Sequence, residues 1–311
     1  MSPSTKTLAR VPNAAAAWAA ILTRAPVARA EDVPDRRYSV RGVAIEQRRA
    51  LRYSRVVAPH GRDAWADAHL AHPGFLHALA HPLGLALMAA PRFPLPALGL
   101  VHVKNSLLLH RPVCIGERVD IETRIGSLVR ASRGSTCEVV SVLSSGGDIV
   151  ATDVSTYLLR GSGNSAMRAK SLQTEAAPFA SAASPSRWKL SAGVGREFAR
   201  VSGDVHPIHV SALSARALGA PSPLAHGMFL GSRALSEAGV GAHSPLLWEL
   251  EFPSLPPLPA TVWVRYGREE PKEGTKGGSF AFSGFSLRGP TPADRTVHLA
   301  FSGRATVLGG A

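Results

Sequence analysis

The sequence predicts an α+β protein made of two similar halves, each an antiparallel sheet wrapped around one central helix. An apolar helical segment is followed by alternating, strand-like segments, and the same order occurs twice along the chain. A doubly wound parallel sheet would instead alternate helices and strands one by one. The helical segments span about residues 74–90 and 226–238, and the strand-like segments lie near 99–109, 116–130, 134–145 and 149–160, then near 246–252, 260–269, 278–288 and 295–307.

The strands are predicted from side chains that share a face every second residue. Val139, Ser141 and Leu143 form such a row in the first half, and residues 262, 264 and 266 form one in the second. Pro82 is expected to kink the first helix, because proline has no backbone N–H to donate. The proline-rich segment that begins at Pro91 is then a loop.

The segment 161–186 is predicted to be a linker between the two halves. It is rich in glycine, serine and alanine, and such residues do not bury enough surface to fold. The predicted organisation is an N-terminal extension over 1–32, a first half over 33–160 and a second half over 187–311. A chain of 311 residues is long enough for two packed domains.

Composition narrows the classes of partner and compartment. The net charge of +13 is spread along a chain with only 18% charged residues, so we expect no nucleic acid as a partner. A positive surface equally attracts the phosphates of coenzyme A or an acidic acyl carrier protein. Two cysteines, Cys114 and Cys137, cannot form a disulfide framework, which favours a cytoplasmic protein. The sequence contains no run of about twenty apolar residues, so no membrane span is predicted.

The first residues allow two interpretations. Lys6 and Arg10 precede the apolar run Ala14–Leu22, and a small-residue pattern at residues 28–30 resembles a cleavage site. The apolar run is mostly alanine, and the charged Arg24 lies between this run and the cleavage-like pattern, which is not typical of a signal peptide. We therefore expect a helical N-terminal extension, and a targeting segment is the alternative.

The most informative motif places Asp204 and His209 five residues apart. On a continuous helix this spacing is about 500° of rotation, so the two side chains would not share a face. Gly203 can end the preceding helix in a left-handed conformation, and Pro207 pushes His206 into extended geometry. The carboxylate and the imidazole are then predicted to converge on one small molecule such as water.

A second motif follows at His226-Gly227, where a loop enters an apolar helix. Free backbone N–H groups and the dipole at such a helix start stabilise developing negative charge. An acid, a base and an oxyanion donor are the groups needed to add water across a polarised double bond, or to remove it.

These motifs resemble a known family. Ser202-Gly203-Asp204-x-His206-Pro207-Ile208-His209, followed by Ala225-His226-Gly227-Met228, is similar to the MaoC-like, or R-specific hydratase 2, enoyl-thioester hydratases and dehydratases. Upstream, the segments 94–105, Arg111-Pro112 and Ile115-Gly116-Glu117 resemble the non-catalytic first half of double-hotdog members. The resemblance covers most of residues 33–310 and implies a double hotdog.

The resemblance implies reversible hydration of trans-2-enoyl thioesters, or dehydration of (R)-3-hydroxyacyl thioesters, in fatty-acid metabolism. Its substrates are thioesters of coenzyme A or acyl carrier protein, and it needs neither a cofactor nor a metal. A homodimer is one assembly that this interpretation allows.

The resemblance also assigns roles to individual residues. Asp204 and His209 are the expected catalytic pair, and the Gly227 backbone N–H is the expected oxyanion donor. The supporting residues are Ser202, Gly203, His206, Pro207 and His226. His206 replaces the asparagine usual in the family, which helps to hold the acid and the water, and a histidine titrates near neutrality.

In this interpretation the first half has lost catalysis and shapes the acyl pocket. Leu79 and Leu83, on the apolar side of its helix, are the expected pocket residues. His77 and His81 share a helix face and could bind a metal, but no acidic third ligand lies nearby in sequence. We interpret them, with His69 and His72, as structural or pocket-lining histidines.

Two alternative functions remain open at this stage. A hotdog thioesterase would hydrolyse the thioester itself, and a catalytically silent protein would only bind acyl thioesters. Thioesterases of this fold generally use one carboxylate near the helix, so the paired Asp204 and His209 favour hydration.

Overall fold

Eleven strands of the described residues form one continuous sheet in a computed structural model of the chain. The structure describes residues 4–23, 36–58, 63–91, 93–131, 134–160, 186–269, 278–288 and 296–309. The strands are β1 Ser4–Thr7, β2 Arg36–Ala44, β3 Leu100–Leu109, β4 Arg118–Ala131, β5 Gly134–Ser145, β6 Asp148–Arg160, β7 Ser186–Leu190, β8 Leu246–Glu251, β9 Ala260–Glu269, β10 Ser279–Arg288 and β11 Thr296–Val307. The helices are α1 Ala14–Leu22, α2 Gln47–Val57, α3 Ala64–Asp67, α4 Pro73–Met88, α5 Val194–Ser202, α6 Pro207–Val210, α7 Ala212–Ala217 and α8 Gly227–Glu237.

The same strand order is used twice. The first half contributes β2-β4-β5-β6-β3, and the second contributes β7-β9-β10-β11-β8, which is the same order in chain terms. In each half the first strand is followed by helices, and the long apolar helix precedes the second strand. The predicted double hotdog is confirmed, and β3 and β8 pair antiparallel and join the sheets of the two halves into one. Neither strand is then left as an open edge.

The two long helices are buried because they are apolar on nearly every side. In α4 every residue except His81 and Ala86 is buried, and the helix continues through Pro82. In α8 every residue except Glu237 is buried. The buried Arg233 of α8 is neutralised by Glu237, at 2.9 Å from Nε to Oε1.

The predicted elements agree closely with the observed ones. Seven of the eight predicted strands begin and end within one residue of the segments expected from alternation, and β4 begins two residues late. The predicted linker lies outside the described residues except for Ser186, which begins β7. None of the described helices is long and apolar enough to cross a membrane.

The predicted N-terminal extension packs onto the first half. Strand β1 pairs in parallel with β2 at the edge of the sheet. Helix α1 buries Ala17, Trp18 and Ile21 in an apolar cluster that also contains Leu85 and Met88 of α4. The extension is therefore part of the folded structure over its described residues.

A buried hydrogen bond links the two halves behind the sheet. Tyr53 of α2 lies 2.8 Å from Ser232 of α8, hydroxyl to hydroxyl, and both side chains are fully buried. Helix α2 also packs against α5, so the helices of both halves share one apolar core. Burial raises the pKa of Tyr53 above its ordinary value, which keeps its hydroxyl protonated.

Replacing Tyr53 with phenylalanine should lower the free energy of unfolding by about 1–2 kcal/mol, because the Ser232 hydroxyl is left buried without its partner. Tyr53→Phe combined with Ser232→Ala should recover part of this loss. Urea denaturation of the two single variants and the double variant measures both effects. Additive losses would contradict the coupling between the halves.

Candidate active site

The site begins where α5 ends. Ser202 is the last residue of the helix, and Gly203 follows in the left-handed region with φ of 78°. The Gly203 N–H donates to the Ala199 carbonyl at 2.9 Å, which closes the last turn. Glycine reaches this conformation without the steric cost of a side chain. The predicted helix end at Gly203 is thus confirmed.

Backbone N–H groups then hold the acid in place. The Asp204 N–H donates to Ser202 Oγ at 3.1 Å, and the His206 N–H donates to Asp204 Oδ1 at 3.2 Å. The Ser202 hydroxyl itself donates to the Phe198 carbonyl at 2.8 Å. Ser202 is therefore a support for the loop, as expected from the sequence.

His209 is positioned by a single helical turn, where a short ordered loop was predicted. Pro207 begins α6, and the His206 imidazole caps it by accepting the Ile208 N–H at 3.1 Å. Proline at the first helical position has its φ already set and loses no donor that the helix needs. His206 has extended geometry, with ψ of 130°, as predicted. The turn brings His209 back towards Asp204.

The two ring nitrogens of His209 differ, because Nδ1 makes a hydrogen bond and Nε2 makes none among the described contacts. His209 Nδ1 lies 2.8 Å from the Leu224 carbonyl, so Nδ1 carries the proton and donates. In the neutral ring, Nε2 then keeps its lone pair and can accept a proton. The described structure thus holds His209 in the tautomer of a general base.

His226, in the second motif, contacts both Asp204 and His209 of the first motif. Its Nε2–H donates to the backbone carbonyl of Asp204 at 3.0 Å, and its ring stacks on that of His209 with centroids 3.8 Å apart. His226 is also the N-cap residue, directly before α8 begins at Gly227. The start of α8, with Gly227, therefore lies beside Asp204 and His209. A Cβ at Gly227 would be 2.7 Å from the Phe252 ring, so only glycine fits here.

The surroundings of Asp204 favour its ionised form. Burial alone would raise its pKa, but the imidazoles of His81, His226, His209 and His206 outweigh burial and hold the pKa of Asp204 well below its usual range. Asp204 is therefore a carboxylate at neutral pH, able to accept hydrogen bonds and to stabilise a neighbouring imidazolium.

The imidazoles of the second half favour their neutral forms. Burial lowers the pKa of His209, and it lowers that of His226 to about 3. Burial also lowers the pKa of His206 to about 4, so the titration near neutrality expected from the sequence is wrong for this position. Trp18 of α1 covers His206, with ring centroids 4.4 Å apart, and no local sequence pattern indicates this contact.

The first half contributes a side chain that was not expected in the site. His81 of α4 places Nε2 3.8 Å from Asp204 Oδ1. His77, one turn earlier, instead bonds to Asp153 at 2.9 Å through Nδ1. Burial disfavours a charge on His77, but Asp153 outweighs burial and raises its pKa. The available signal was a pair of histidines in an otherwise apolar helix.

Leu79 and Leu83 lie elsewhere, in the main apolar core. Both are fully buried, at 1% and 0% exposure, and they belong to the cluster that also contains Tyr53. Their predicted part in an acyl pocket stays a prediction. Within the motif loop, residues 203–206 between α5 and α6, Val205 packs against the second cluster, which contains side chains of α1 and α4.

Three site residues could hold a metal ion by distance alone. Asp204, His209 and His226 each offer a ligand atom within 4.8 Å of the others. However, His209 Nδ1 and His226 Nε2 already donate to backbone carbonyls, so each ring has one nitrogen left for an ion. The arrangement suits proton transfer better than metal binding.

Comparison with known proteins agrees with this geometry. Residues 185–279 match the family described as MaoC like domain. The chain is 26% identical over 236 residues to 3-hydroxyacyl-thioester dehydratase X of Mycobacterium tuberculosis, covering 76% of this chain and 81% of that protein.

Solved structures show the fold. The crystal structure of HtdX from M. tuberculosis has a TM-score of 0.66 at 21% identity and covers 88% of this chain and 100% of its own. Another M. tuberculosis protein, described as a double hotdog fold, has a TM-score of 0.55 at 14% identity and covers 86% and 93%. The chain therefore has the double-hotdog fold, and residues 185–279 in its second half are similar to the MaoC like domain.

Proposed function

We propose that this protein is a hydro-lyase that hydrates trans-2-enoyl thioesters and dehydrates (R)-3-hydroxyacyl thioesters in fatty-acid metabolism. One observation carries the proposal: the Asp204 carboxylate and a neutral His209 meet at the start of α8. The relative at 26% identity, named as a 3-hydroxyacyl-thioester dehydratase, supports the substrate class. The carrier is coenzyme A or acyl carrier protein, and the net charge of +13 suits the negative charge of either.

In dehydration, His209 Nε2 would remove the proton at C2 of the hydroxyacyl thioester. The electron pair of that C–H bond forms the C2–C3 double bond as the C3–O bond breaks. The imidazolium then returns the proton to the departing oxygen, and water leaves. Because Asp204 stays ionised, it holds the hydroxyl by accepting its hydrogen bond and stabilises the imidazolium.

Hydration runs through the same groups in reverse. Asp204 and His209 would hold the water, and His209 Nε2 takes one of its protons as oxygen attacks C3. Negative charge then moves to the thioester carbonyl, where the Gly227 N–H at the start of α8 would donate to it. The His209 imidazolium would then deliver its proton to C2, which restores the carbonyl and the neutral imidazole. One such donor contributes roughly 10²–10³-fold to the rate.

Asp204→Asn and His209→Ala should each lower kcat for crotonyl-CoA hydration by at least about 100-fold, because each removes one partner in proton transfer. Loss of enoyl absorbance and release of free thiol are followed in parallel. His110→Ala and Asp148→Asn, which alter exposed residues of the same types, serve as matched controls and should keep full activity.

The same assay separates the alternatives. Thiol release by the wild type would identify a thioesterase, and no change in either signal would identify a binding protein. Either result contradicts the proposal, as does substantial hydration by Asp204→Asn or His209→Ala.

The acid limb of the pH profile should come from His209. As pH falls, a base that must be neutral is protonated, and burial lowers the pKa of His209, so the midpoint should lie below 6.5. His206, with a pKa of about 4, stays neutral over most of this range. The kcat/KM profiles of wild type and His206→Asn should therefore have acid limbs at the same pH. A limb that moves in the variant would assign the titration to His206.

Hydration should not require a metal ion. The steps above use only proton transfer and hydrogen bonding, and one nitrogen each of His209 and His226 already donates to a backbone carbonyl. Dialysis against EDTA should leave kcat unchanged, and added Zn²⁺ should not raise it. Loss of activity that Zn²⁺ restores would contradict this prediction.

A further inference from the structure

We propose that His81, supplied by the first half, is the positioning residue that orients the Asp204 carboxylate. The inference rests on the proposed function, because it explains how the acid of that reaction is held. His81 projects from α4, while Asp204 lies in the motif loop of the second half. Their closest atoms, Nε2 and Oδ1, are 3.8 Å apart.

The geometry points to Asp204 as the intended partner of His81. The His81 side chain is only 10% exposed, and its Nε2 is buried with no hydrogen-bond partner among the described residues. Buried polar atoms are nearly always paired, so an orphan of this kind calls for an explanation. The carboxylate of Asp204 is the acceptor that a protonated Nε2 faces.

Asp204 in turn lacks side-chain support from its own loop. Its Oδ1 accepts the His206 backbone N–H, but the His206 imidazole caps Ile208 and packs against Trp18. His226 Nε2 lies 3.9 Å from Oδ2 and already donates to the Asp204 carbonyl. His209 also lies near Asp204, but its Nε2 carries a lone pair in the neutral ring and cannot donate. Among the described contacts, His81 can then donate a hydrogen bond to the carboxylate.

A buried hydrogen-bond network in the first half anchors His77, which lies beside His81 and favours its neutral form. The neighbouring His77 is anchored by Asp153, which also accepts from Asn105 Nδ2 at 2.8 Å. The His77 and His81 rings are 5.9 Å apart, so a charge on His77 opposes a second charge on His81. Burial and this repulsion lower the pKa of His81, which leaves a neutral ring that still has one N–H.

A movement of less than about one ångström would bring Nε2 within hydrogen-bond distance of Oδ1. Catalytic hydrogen bonds in ligand-free enzymes are often long and shorten when substrate is bound. Fixing the carboxylate in this way orients the water or hydroxyl that Asp204 holds. The effect should therefore fall on kcat and not on KM.

Steady-state hydration of crotonyl-CoA tests this inference with three variants. His81→Ala should lower kcat by roughly 10- to 100-fold, the loss typical of a misplaced group, with little change in KM. His81→Gln, which keeps an N–H near the position of Nε2, should recover most of kcat. Leu76→Ala, a truncation in the buried face of the same helix, should lower the urea midpoint and keep kcat.

A second measurement does not depend on activity. Urea midpoints are compared for His81→Ala, Asp204→Ala and the double variant, and a direct interaction predicts that the two single shifts are not additive. Additive shifts would overturn the inference. So would full kcat in His81→Ala, or a His81→Gln variant no faster than His81→Ala. If the wild type hydrates no enoyl thioester, the proposed function fails, while the midpoints still decide whether His81 and Asp204 interact.

Discussion

The pairing of β3 with β8 is the interaction on which the rest of the structure depends. It sets Leu107 opposite Trp248, and both are fully buried. A slip of one residue in this ladder would turn both side chains to the other face of the sheet, so the register is strongly determined. With this register fixed, the helices of the two halves share one core, Tyr53 meets Ser232, and His81 faces Asp204.

The site combines a short rigid turn with an unusual number of buried imidazoles. Gly203 and Pro207 set the backbone so that the acid and the base converge, and backbone groups fix the tautomer of His209. The imidazoles surround one carboxylate, and at acidic pH, where they become protonated, their charge lowers the pKa of Asp204. Burial lowers the pKa of His209, so at higher pH the acid is ionised and the base is neutral. These opposite protonation states are what proton transfer between water and carbon requires.

Local patterns predicted the elements and the motif, because both depend on nearby residues. Alternation marked the strands, and the glycine and proline around Asp204 predicted where α5 ends. The missing part was contact between distant segments. Nothing in the spacing of His77 and His81 indicates that one faces Asp153 and the other Asp204. The low pKa of His206 likewise depends on burial, to which Trp18 from the N-terminal segment contributes.

The central claim is that Asp204 and His209 add water at C3 of an enoyl thioester. It is tested most directly by finding the carbon atom to which the oxygen of water becomes bonded. The wild-type protein is incubated with trans-2-enoyl-CoA in H₂¹⁸O, and the products are analysed by mass spectrometry. Hydration by Asp204 and His209 predicts an intact thioester with one ¹⁸O atom at C3, in a single (R) enantiomer. Label found in a free carboxylic acid, with release of coenzyme A, would contradict the account, because the attack would then have occurred at the thioester carbonyl.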